Sequence, residues 1–191
     1  ILREITAPDG YTVAEDVRFT IQANLSVAQP AETIVMENAP TEINVSKLDI
    51  TNSQEIEGAF LQILNAATGE VAVTIYGETL SWVSNGIPKN IKGLPAGEYI
   101  LRETAAPNGY AIANEIAFTI TDELKTAETV TMEDAPTEVV ISKTDITTGE
   151  ELPGATLQVL NEQGTEIVTT IYGERLEWVS GEEPKVIQGL P

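Results

Sequence analysis

The chain has 191 residues, room for about one to two ordinary domains, and its 30 acidic against 10 basic side chains give a net charge of −20 that repels nucleic-acid phosphates and anionic membrane surfaces alike. Cysteine and histidine are both absent, which removes disulfides, thiolate metal sites, Ser-His-Asp triads, Cys-His dyads and the commonest zinc ligands. With no apolar run near the ~20 residues of a membrane span and no signal-peptide pattern in the opening Ile-Leu-Arg-Glu-Ile-Thr, the chain reads as a mature, soluble piece of something longer, expected to need no cofactor or metal, to bind no nucleic acid and to enter no membrane.

Taken in chain order, the segments repeat. "ILREITAPDGY" at Ile1 returns as "ILRETAAPNGY" at Ile100, 99 residues later. "VSKLDIT" at Val45 returns as "ISKTDIT" at Ile141, and "TIYGETLSWVS" around Trp82 returns as "TIYGERLEWVS" around Trp178, both 96 residues later. The difference of three residues falls between Phe19 and Asn38, in a polar, Pro-containing stretch that reads as a tolerant surface hairpin loop. The twin joints "ENAPTE" and "EDAPTE" therefore bound one complete repeat, residues 41–136. Residues 1–40 read as the back half of a preceding repeat and residues 137–191 as the front half of a following one.

Inside the repeat, "EINVSKL", "AFLQIL", "VAVTIY", "EYILRET", "IAFTI" and "ETVTME" alternate apolar with polar residues, and "NAATGE", "SNGIPKN", "GLPAG" and "APNGY" supply turn chemistry between them. The expectation is all-β: tandem Ig-like antiparallel β-sandwiches of about 100 residues each. Trp82, Tyr76, Trp178 and Tyr172 recur at equal positions and read as core or strand-edge packing. The loop "DITTGEE" lacks the spaced carboxylates of an EF-hand, so no calcium is assigned to it.

Strand parity singles out three polar side chains. Residues two apart share a face, which puts Lys47 with Ile43 and Val45, Glu103 with Tyr99 and Leu101, and Asp134 with Val130 and Met132. The half-repeats carry the same set split in two: Lys143 in one, Glu4 and Asn38 in the other. Strand-end side chains reaching solvent, or a buried salt bridge, are the plainer readings. A salt bridge has no reason to accept Asp in one copy and Asn in another, whereas amide formation accepts both. Burial disfavours charge on an amine and on a carboxyl group, leaving a neutral Lys nucleophile to attack the Asx carbonyl while a Glu carboxyl polarises the carbonyl and shuttles protons. Water leaves from Asp, ammonia from Asn.

The pieces "ISKTDITTGEELPGATLQVLN", "GLPAGEYILRETAAPNGY", "AFTI" and "VTMEDAP", placed in the order of the repeat, resemble in order and spacing the B-type repeats of collagen-adhesin-like and pilin proteins of Gram-positive bacteria, the SpaA-like, prealbumin-like domains. The resemblance implies an intramolecular isopeptide between Lys47 and Asp134 with Glu103 catalytic, and the split set Lys143, Glu4 and Asn38. It also implies export to the bacterial cell surface with cell-wall attachment through a part not in this chain. The expected role is a stalk module: a bond from the first strand to the last passes tension from linker to linker, and by analogy with a disulfide of similar span it stabilises by about 4 kcal/mol. Expected partners are neighbouring repeats or copies, head to tail. The alternative is an adhesive module for a host matrix protein. A turnover enzyme is not expected.

Overall fold

A computed structural model describes residues 1–21, 33–123 and 127–191. Most of the three-residue insertion stretch, residues 22–32, lies outside the described residues. In residues 1–40 isolated bridges join Leu2 to Val17 and Tyr11 to Pro40.

Among the described residues of 41–136 there are seven strands: β1 (Glu42–Asp49), β2 (Glu57–Asn65), β3 (Ser81–Asn85), β4 (Lys89–Lys92), β5 (Gly97–Ala105), β6 (Ile116–Ile120) and β7 (Glu128–Asp134). They form two sheets, β4-β1-β7 and β3-β2-β5-β6. Alternation decides which side chains face inward: Ile43 and Val45 of β1, Leu61 and Ile63 of β2, Tyr99 and Leu101 of β5 and Met132 of β7 meet in one core between the sheets. Tyr99 stacks on Phe118 with ring centroids 5.8 Å apart.

Two details depart from the expectation. β1 and β7 pair in parallel, with Lys47 opposite Met132 and Asp49 opposite Asp134, whereas the other strand pairs are antiparallel. Alternation is blind to strand direction, since parallel and antiparallel pairs share the period of two. The run "VAVTIY" makes only the isolated bridges Leu64–Val71 and Val73–Thr79, because a turn at Ile75 and Tyr76 interrupts it.

Residues 137–191 repeat the front of this pattern as β8 (Glu138–Ile141), β9 (Thr156–Gln158), β10 (Glu177–Val179) and β11 (Lys185–Gln188). β8 pairs with β11 and β9 with β10, as β1 pairs with β4 and β2 with β3. Val139, Ile141 and Leu157 are only half-buried, where their counterparts Ile43, Val45 and Leu61 are buried. In residues 1–40 the same contrast holds: Leu2 is 40% exposed and its counterpart Leu101 0%.

Candidate functional site

β1, β5 and β7 bring Lys47, Glu103 and Asp134 together inside the sandwich. Each occupies the inward position that parity assigned to it, and all three are buried, at 2%, 4% and 0% exposure. The Lys47 Nζ donates to Asp134 Oδ1 and lies 3.3 Å from Glu103 Oε1. The second oxygen of Glu103 accepts the Ala113 amide at 2.7 Å, which aims Oε1 at the lysine. Glu103 Oε1 and Asp134 Oδ2 are buried with no hydrogen-bond partner.

Two orphaned carboxyl oxygens in an apolar core are costly when both groups are ionised, and one proton between them relieves both. Asp134 shows the tendency: burial pushes its pKa up to about 6, Lys47 pulls it down, and the neighbouring Glu103 pushes it up again. A proton taken up there places a carboxylic acid beside the Lys47 Nζ. Stability alone does not ask for a triad, since apolar residues of similar volume would serve as well.

In residues 1–40 the Glu and Asx partners are already assembled. Asn38 Nδ2 donates to Glu4 Oε2 at 2.6 Å and to the Thr12 carbonyl at 3.0 Å, and the Ala14 amide donates to Glu4 Oε2 at 2.6 Å, as Ala113 does to Glu103. Lys143 is half-buried in residues 137–191. Among the described residues no hydrogen bond or ion pair within the chain joins it to Glu4 or Asn38.

Sequence reasoning missed two neighbours of the lysine. Glu55 Oε2 accepts the Lys47 amide at 3.0 Å, and Glu151 Oε2 accepts the Lys143 amide at 3.1 Å; their common spacing to the lysine was the available signal. Asp49 follows Lys47 on the same face of β1 and is 1% exposed, so the parity that found Lys47 extends to it. The tyrosines correct an expectation: Tyr76 and Tyr172 are 62% and 44% exposed and sit at the joints between units rather than in a core. Trp82 does pack against the core, with the Lys89 ammonium 5.5 Å above its ring. Among the described residues no group of three or more acidic side chains can hold a metal ion, and no helix is long and apolar enough to cross a membrane.

Among solved structures the chain is similar to a streptococcal ancillary pilin, at 21% identity over 98% of this chain and 61% of that one, with a TM-score of 0.41. It is also similar to the Bacillus anthracis TIE protein, at 22% identity over 98% of this chain and 38% of that one, TM-score 0.45. BcpA, the major pilin subunit of Bacillus cereus, matches at 21% identity over 54% of this chain and 35% of its own length, TM-score 0.44. The chain thus spans less than two thirds of each of these proteins. No curated protein matches it. The family model for SpaA, a prealbumin-like fold domain, matches residues 41–136, half of the chain, and the protein belongs to that family.

Proposed function

We propose that the chain is a structural module of a bacterial surface stalk or pilus, working outside the cell and stiffened by a self-formed Lys47–Asp134 isopeptide bond. The observation that carries this reading is the buried lysine held between two carboxyl groups, each with one oxygen that makes no hydrogen bond. In the neutral form of the site, Lys47 Nζ attacks Cγ of Asp134. Glu103, as the acid, donates its Oε1 proton to the departing hydroxyl and takes one proton from the nitrogen in return. One C–N bond forms, one C–O bond breaks and water leaves; Glu103 ends as it began. The event happens once per molecule and is self-modification rather than turnover.

The placement suits a load-bearing part. Lys47 lies on the first strand and Asp134 at the end of the last, and the two strands run parallel, side by side. A bond between them carries tension from linker to linker without unzipping β1 from β7. The pilin names of similar structures agree with this use. The two half-repeats extend the proposal to head-to-tail assembly, with Lys143 of one copy meeting Glu4 and Asn38 of the next. Cell-wall attachment would be made through another part of the parent protein.

Intact mass tests the central claim. The expected mass is one water below that of the sequence, with a branched tryptic species joining the Lys47 and Asp134 peptides. Glu103→Gln is expected to keep the fold and retain that water. A native chain whose Lys47 is free, at full mass, overturns the reading.

A further inference from the structure

The two joints between the sequence units are built alike. At the first, the Thr41 amide donates to the Gly10 carbonyl at 2.9 Å, the Thr41 hydroxyl to the Leu94 carbonyl at 2.6 Å, and the Gly93 amide to the Thr41 carbonyl at 2.8 Å. At the second, Thr137 makes the same three bonds with Gly109, Leu190 and Gly189, at 2.8, 2.7 and 2.8 Å. Each joint also seats an isoleucine of the following unit on a glycine of the preceding one. A Cβ at Gly10 would lie 2.6 Å from Ile75 Cγ2, and one at Gly109 would lie 2.4 Å from Ile171 Cγ2. Both glycines have positive φ, +77° and +87°, so the turns that carry them require glycine twice over.

The second joint is closed by a carboxylate. Asp49 is buried, and its Oδ2 accepts the Tyr110 hydroxyl of its own unit at 2.9 Å and the Tyr172 hydroxyl of the following unit at 2.8 Å. Its Oδ1 is occupied by the Thr51 amide and hydroxyl at 2.7 and 2.6 Å. Burial pushes the Asp49 carboxyl up, but the hydrogen bonds from Thr51, Tyr172 and Tyr110 outweigh it and hold the pKa below the ordinary carboxylate value. The group therefore stays an ionised acceptor at neutral pH, and hydrogen bonds to a charged acceptor are the stronger kind.

We propose that Asp49, Tyr110 and the glycine turn at Gly109 form a docking site for a following copy of the repeat, which presents its Ile171-Tyr172 pair, and that this clamp fixes the angle between consecutive repeats. The partner is defined by its chemistry: an aliphatic side chain that fits over a glycine turn, next to a tyrosine hydroxyl that reaches a buried carboxylate. The Thr137 bonds hold the "APTE" segment at the base of the joint, and the Asp49–Tyr172 bond adds a side-chain contact from the body of one unit to the next. The clamp does not depend on the isopeptide, because none of its side chains belongs to the Lys47 site.

The absence of cysteine permits spin labels at two introduced sites, Thr119→Cys in the complete repeat and Gln163→Cys in the following unit, both exposed. The unaltered joint is expected to give one narrow distance distribution. Tyr172→Phe, which removes only the hydroxyl that crosses the joint, is expected to widen it about twofold. Asp49→Ala should do the same while the mass loss at Lys47 and Asp134 reports that the repeat still folds. Asp145, 96 residues beyond Asp49 in sequence, accepts the Thr147 and Thr148 amides of its own loop at 2.6 and 3.2 Å, so Asp145→Ala should leave the distribution unchanged. A distribution that is already broad in the unaltered chain overturns the proposal, as does one that neither Tyr172→Phe nor Asp49→Ala widens.

Discussion

At Asp134 the balance of burial against charge can be read from pH. Its folded pKa of about 6 stands above the ordinary 3.8, so the folded chain binds this proton more tightly than the unfolded chain does. The resulting stability is fully present below about pH 4 and is lost as pH rises through about 6. Lys47→Met prevents the cross-link and removes the one neighbour that pulls the value down, leaving burial and Glu103 to push it higher. That variant is expected to keep its full mass and to be about 2 kcal/mol less stable at about pH 7.5 than at about pH 5. Urea unfolding at the two pH values reads the difference directly. Equal midpoints would mean that the carboxyl group is better solvated than its burial indicates.

β2 shows how an irregularity is made safe inside a strand. Its register against β3 shifts between Glu57 and Phe60, which leaves the amide of Ala59, a residue with no exposure at all, outside the ladder. Ser84 Oγ accepts it at 2.9 Å, and Ser180 Oγ accepts the Ala155 amide at the same 2.9 Å in the following unit. Ser84→Ala leaves that amide buried and unsatisfied, with an expected loss of about 1–3 kcal/mol by chemical unfolding; a neutral result would require water to reach the bulge. Such a feature is hard to read from sequence, because Ser84 looks like any polar residue near a turn. β1, β5 and β7 were legible because a charged residue stood on an otherwise apolar parity, and burial bears this out at Lys47, Glu103 and Asp134. Asp49 carried the same signal one step further along β1, but its partners Tyr110 and Tyr172 lie 61 and 123 residues away, where no local pattern points. The parallel sense of β1 and β7 was hidden for a different reason, since inward and outward positions are the same for either strand direction.

Across the whole molecule, the groups of the Lys47 site recur in the flanking units. Glu4 and Asn38 are hydrogen-bonded to one another, and Glu4 is aimed by the Ala14 amide as Glu103 is by Ala113; the position that Lys47 fills in the complete repeat has no lysine within residues 1–40. Lys143 has the backbone setting of Lys47, with Glu151 in the place of Glu55. The apolar faces follow the same logic, since Leu2 in one half and Leu157 in the other are exposed or half-buried where their counterparts in the complete repeat are buried. Joining residues 137–191 of one copy to residues 1–40 of the next would cover both faces and bring Lys143 Nζ to the Asn38 amide, with Glu4 as proton carrier and ammonia as the leaving group. A contact of this kind is heterologous and open, so it propagates instead of closing on a dimer. On a denaturing gel, after boiling with reductant, the 191-residue chain is expected to run as a ladder, each added rung lighter by one ammonia in the mass spectrum. Lys143→Ala should collapse the ladder to a single band and leave the water loss at Lys47 and Asp134 intact. A single band from the unaltered chain would show that copies are not bonded covalently through Lys143, while leaving the chemistry inside residues 41–136 as it stands.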